Sequence, residues 1–96
     1  MSGKVIQPVT LQLSIGRGCF GGGYSTASVN IIDYITIAST GNATDFGDLT
    51  VRRNGLAACS SSTRGCFGGG PSTDIIDYIT IATTGNATDF GDLTVG

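Results

Sequence analysis

The chain carries nearly the same string twice. Residues 31–51, IIDYITIASTGNATDFGDLTV, return as residues 75–95, IIDYITIATTGNATDFGDLTV, and Ser39 against Thr83 is the only difference between them. Residues 17–23, RGCFGGG, return unchanged as residues 64–70. A repeat spaced by 44 to 47 residues has the length of one supersecondary unit, which leaves hydrophobic faces that only neighbouring units can cover. Two units in 96 residues are few for such an architecture. The sequence therefore predicts that further copies of the chain complete the fold.

Composition narrows the unit to strands and turns. The seven acidic residues are all Asp, Glu is absent, and Lys4 is the sole lysine, so the residues that normally fill exposed helices are missing. Thr, Ile and Val are abundant and 16 glycines punctuate them, as in folds of many short strands joined by tight turns. The predicted class is all-β. A net charge of −2 with no basic cluster beyond Arg52-Arg53 offers no footprint for a phosphate backbone and argues against a nucleic-acid partner. Residues 1–15 lack the apolar core and cleavage site of a signal peptide, and no stretch reaches the roughly 20 apolar residues of a membrane span. A soluble, uncleaved chain without membrane insertion is expected.

Each unit reads as a four-stranded meander. In the second unit, residues 55–61, GLAACSS, form a small-residue strand suited to close approach of other backbones. A turn over residues 62–65 leads to a short strand, Cys66-Phe67-Gly68, which the glycine run ends. Residues 75–83 form the third strand, with Ile75, Asp77, Ile79 and Ile81 on one face and Ile76, Tyr78, Thr80 and Ala82 on the other. Both faces are largely apolar, which predicts a sheet covered on both sides. Residues 84–89 supply a loop, and residues 90–95 close the unit as a fourth strand. In the first unit residues 9–15, VTLQLSI, take the place of the small-residue strand. The predicted organisation is an N-terminal arm over 1–8, a first unit over 9–51 and a second over 52–96, joined at an Asn54-Gly55 turn.

The order of these features resembles the kelch blade. Kelch units carry glycines closing the second strand, a Tyr in the third, an aromatic before the fourth and an Arg in the crossover. Gly21-Gly22-Gly23, Tyr34 and Phe46 fall in that order, as do Gly68-Gly69-Gly70, Tyr78 and Phe90, with Arg52 or Arg53 in the crossover. Phe stands where kelch usually has Trp, and the strands are shorter. The resemblance implies a β-propeller with two four-stranded antiparallel blades per chain and a ring completed by homo-oligomerisation. Two, three or four chains give four, six or eight blades. The blade length, and the threefold symmetry common among phage fibres, favour the six-bladed homotrimer; contacts that fail to close give an open filament instead. The strings also resemble repeat arrays in structural proteins of tailed bacteriophages, which implies a virion component at the particle surface or tail. Cys19 and Cys66 depart from the aliphatic residues expected there.

Chemistry is sparse. With no His and no Glu, acid–base work would fall to aspartates that recur at matching places in both units, as scaffold residues do; no catalytic residues, cofactor or metal are assigned. Asp45 and Asp48, and Asp89 and Asp92, have oxygens for Ca²⁺ but match no dedicated loop, and capping of turns by Asx side chains accounts for them. Asn42-Ala43-Thr44 and Asn86-Ala87-Thr88 are glycosylation sequons in a secretory setting, and loop geometry explains them as well. Cys19, Cys59 and Cys66 are an odd number, so a closed disulfide framework is not expected. Buried free thiols lead, ahead of a disulfide involving Cys59. The two units differ most at residues 24–30, YSTASVN, against PSTD at 71–74. Candidate binding residues are therefore Tyr24 in that longer loop and Asn42, Asp45, Asn86 and Asp89 in the Asn-Asp turns. The expected function is a non-enzymatic virion structural protein, a surface decoration or adhesin touching a host glycan or protein, with the arm holding it to other virion proteins. The alternative is a self-assembling structural or filament subunit without a ligand.

Overall fold

The computed structural model describes residues 16–95; the predicted arm and the strand over residues 9–15 lie outside them. Seven strands are present: β1 (Arg17–Gly21), β2 (Val29–Thr36), β3 (Thr44–Arg53), β4 (Ala57–Ser60), β5 (Arg64–Gly68), β6 (Ile75–Thr80) and β7 (Thr88–Asp92). They form two antiparallel meander sheets, β1-β2-β3 and β4-β5-β6-β7, and the described residues contain no helix. The all-β class holds, with one sheet per repeat unit.

Strand limits differ from the sequence pattern in instructive ways. The second strand of the unit begins at Arg64 inside the expected turn, because Arg64 and Gly65 pair with Thr80 and Ile79. The third strand stops at Thr80, where the Thr83 amide donates to the Thr80 carbonyl and turns the chain. In the first unit the last strand starts at Thr44 and runs through Arg53, up to the expected Asn54-Gly55 turn. All four residues of β4 are exposed, so the small-residue strand is a bare sheet edge rather than a close-packed one.

A shared irregularity sets which side chains face inward. Ile32 lies opposite Gly47 and Asp33 opposite Asp45, which leaves Phe46 as the extra residue of a bulge. The same shift leaves Phe90 between Gly91 and Asp89 in the second unit. A bulge breaks the two-residue alternation, and this one lets Phe46 and Leu49 share a face despite their odd separation. Each sheet thus has a leading face, carrying Cys19, Ile32, Tyr34, Phe46 and Leu49 in the first unit, and a trailing face, carrying Phe67, Asp77 and Ile79 in the second. The Tyr34 and Phe46 rings meet edge to face at 5.8 Å, and their counterparts Tyr78 and Phe90 do so at 5.9 Å. Arg17 stacks over Tyr34 at 4.3 Å and Arg64 over Tyr78 at 4.5 Å. These pairs are internal to a unit and repeat faithfully.

The core lies between the sheets. Ile32, Phe46 and Leu49 from the first unit's leading face pack with Phe67, Ile79 and Ala87 from the second unit's trailing face. Burying a side chain of this size stabilises by about 1.5–3 kcal/mol, so one inter-sheet layer holds the described fold together. The covering of both sides expected for each sheet is met on one side only among the described residues.

Candidate assembly interface

The contact between units is built from three devices. The first is an ion pair. Arg53, at the end of β3, and Asp77, in β6, are both buried, with Nη2 to Oδ2 at 2.5 Å. Arg53 Nη1 also donates to the carbonyls of Gly69 and Ile75, at 3.2 and 2.8 Å. Asp77 accepts from the Thr50 amide at 3.0 Å and from the Thr50 hydroxyl at 2.7 Å. A buried charge needs a partner and further hydrogen bonds to offset its lost hydration. Both ions have them, although Arg53 Nε is left without a partner among the described residues.

The second device is a docked loop. Gly85 and Ala87 donate their amides to the carbonyls of Phe46 and Asp48, each at 2.8 Å. Asn86 Oδ1 accepts from the Asp48 amide at 3.0 Å. The Thr-Gly-Asn-Ala turn of the second unit thereby lies along the start of β3. Contact is so close that a Cβ on Gly47 would collide with the Gly85 carbonyl; this is backbone against backbone, which cannot swing aside.

The third device is aromatic and cationic. Phe67 packs so tightly on Gly21 that a Cβ there would sit 2.9 Å from its ring. Arg17, held flat by Tyr34, donates from Nη1 to the Ile81 carbonyl at 3.0 Å. An arginine that serves as a stacking plate within its unit thus also reaches the next one.

No family model, curated protein or solved structure matches this chain. Its chemistry is argued from its own residues.

The five candidate binding residues do not converge on one pocket. Tyr24 is 69% exposed in the loop joining β1 to β2, bridged to Ser28, at the opposite end of the strands from the others. Asn42 and Asp45 are exposed at the turn into β3, and Asp89 is exposed in β7. Only Asn86 has a role in the described contacts, as a cap on the other unit's strand rather than on its own turn. Sequence reasoning missed Arg53 and Asp77 as a pair and Thr50 as their third member. An Asp on an otherwise apolar strand face was the available signal. No group of three or more metal-ligating side chains comes together among the described residues.

The three cysteines are free, and Cys59 and Cys66 are direct cross-strand partners. Burial pushes the Cys66 thiol up, the neighbouring Cys59 adds to this, and Arg64 opposes it. Cys19 is raised by burial against the pull of Arg17. A raised thiol holds less thiolate at a given pH, and thiolate is the reactive form. Exposed Cys59 should therefore alkylate first with iodoacetamide at mildly alkaline pH, with Cys19 and Cys66 lagging. Peptide mapping of a time course checks this order; Cys66 labelled first would contradict it.

Proposed function

We propose that this chain is a non-enzymatic structural subunit of a virion, whose work is to build a multi-chain β-propeller from stacked sheets. The observation that carries the assembly part is unequal burial of identical residues. Phe46 is 3% exposed and its counterpart Phe90 is 53%; Leu49 is 3% and Leu93 is 41%; Phe67 is 4% and Phe20 is 61%. Among the described residues one leading face and one trailing face are covered, and one of each is bare. Large apolar side chains grouped on an exposed face mark an interaction surface rather than solvent-facing decoration.

The virion setting follows from the resemblance of the repeat strings to tailed-phage structural proteins, with a surface decoration or adhesin as the role. Tyr24, in the loop where the two units differ, is the residue assigned to host contact. The homotrimer, with six sheets around an axis, remains the favoured closed form. The open filament is the alternative, since head-to-tail contacts close or propagate according to the rotation each joint imposes. Native mass spectrometry with light scattering tests the reading. A discrete trimer is expected, a mass ladder moves the conclusion to the filament, and a monomer at every concentration overturns it.

A further inference from the structure

We infer that one chain joins the next by repeating the contact its own two units make, with equivalent side chains in equivalent places. The inference rests on the self-assembly reading above and supplies the geometry of the joint. The leading face of the first unit uses Arg17, Phe46, Gly47, Leu49 and Thr50. The second unit presents the same residue types at Arg64, Phe90, Gly91, Leu93 and Thr94, on a face where Phe90 and Leu93 are exposed among the described residues. The trailing face of the second unit uses Phe67, Asp77, Ile79, Gly85, Asn86 and Ala87. The first unit presents Phe20, Asp33, Ile35, Gly41, Asn42 and Ala43, of which Phe20, Gly41, Asn42 and Ala43 are exposed. A surface that binds its complement inside the chain meets the same complement on another chain.

The open space has the matching shape. A cleft between the units is lined by Phe46 together with Tyr78, Ile79, Thr80, Thr83, Thr84, Gly85, Asn86 and Thr88. Its counterpart on the first unit is lined by the equivalent residues, from Tyr34 to Thr44, with no phenylalanine; the missing wall is the place for Phe90 of another copy. On the second unit an apolar groove of about 330 Å³ runs over Cys59, Cys66, Gly68, Ile76 and Leu93. A Cβ on Gly68 would meet only Ile76, whereas Gly21, its twin, carries the Phe67 ring. That groove is the seat for Phe20. In the joint, Asn42 Oδ1 accepts from the Asp92 amide, Arg64 donates to the Ile37 carbonyl, and Thr94 donates to Asp33. Asp33 takes its hydrogen bonds from Thr94 as Asp77 takes its own from Thr50.

The joint is heterologous: leading face to trailing face, never like to like. Two blocked variants of the full chain test it. Phe20→Asp spoils the trailing face and Leu93→Asp the leading face, each at an exposed site. Each variant alone should stay at monomer mass, with self-association weakened about tenfold or more. Mixed in equal amounts they should form a one-to-one dimer that stops there, because each retains the face the other lacks. Far-UV circular dichroism and a thermal melt report folding; should either variant lose its fold, Asn42→Ala and Arg64→Ala replace the pair and serve as the trailing- and leading-face blocks. Wild-type chain that assembles while the mixed variants remain monomers overturns this joint but leaves the self-assembly reading standing. Single variants that assemble like wild type also overturn the joint. Wild-type chain that is monomeric throughout overturns both.

Discussion

Asp77→Ala should destabilise the isolated chain by about 3–5 kcal/mol, the cost of leaving a buried partner uncompensated, whereas Asp33→Ala, in an identical stretch of sequence, should cost no more than about 0.5 kcal/mol. Asp77 is fully buried and holds Arg53 and both donors of Thr50. Asp33 is half-buried, lies opposite Asp45, and has no hydrogen-bond partner among the described residues. Against a total of about 5–15 kcal/mol for an ordinary domain, the first loss takes a large share of the stability and the second is near the error of the experiment. Urea denaturation at low protein concentration measures both. The concentration matters, because in the proposed joint Asp33 acquires Thr94 as Asp77 has Thr50; raising the concentration should therefore make the Asp33 variant's deficit appear. Equal effects from the two substitutions in dilute solution would show that the units are interchangeable and that the Arg53 pair does not organise the fold.

The repeat made the architecture legible. Its spacing announced two units, its alternating Ile and Tyr residues announced the third strand, and the absence of Glu, the single Lys and the abundance of Thr, Ile, Val and Gly announced an all-β chain. What the repeat could not show is its own asymmetry. IIDYIT is one string with two fates, because in the first copy Ile32 is buried and Asp33 is not, while in the second Asp77 and Ile79 are buried. Burial is decided by which neighbour a face meets, and that is absent from local pattern. Arg52 and Arg53 were equivalent in sequence until β3 proved to continue through both, which turned one outward and the other inward. The bulge at Phe46 was hidden for a similar reason: its aromatic residue, next to a glycine, reads as ordinary strand until the pairing register leaves it unmatched. Asn86 read as a turn residue, and its carbonyl does accept a backbone amide, but that amide belongs to the other unit. The interface is thus written in residues whose local reading is correct and incomplete.

Gly47→Ala should be the second most damaging substitution, and its twin Gly91→Ala supplies the control. Both glycines hold φ near +157°, at 157° and 158°, a conformation that costs a residue with a Cβ about 1–3 kcal/mol wherever it occurs. The two variants share that cost. They differ in surroundings: a Cβ on Gly47 strikes the Gly85 carbonyl, whereas a Cβ on Gly91 meets nothing within 4 Å. Relief of the collision requires the 84–87 loop to move off β3, which breaks the Gly85-to-Phe46 and Ala87-to-Asp48 hydrogen bonds. Two such bonds contribute about 0.5–1.5 kcal/mol each, so Gly47→Ala should be less stable than Gly91→Ala by about 1–3 kcal/mol in the monomer. Hydrogen exchange localises the effect: the amides of Gly85 and Ala87 should lose protection in Gly47→Ala and keep it in Gly91→Ala. In the proposed joint the corresponding amides of Gly41 and Ala43 should exchange freely in the monomer and gain protection only when another chain's Gly91 edge lies against them. Protection at Gly85 and Ala87 that survives Gly47→Ala would show that the loop does not dock on β3, and the template for the joint between chains would go with it.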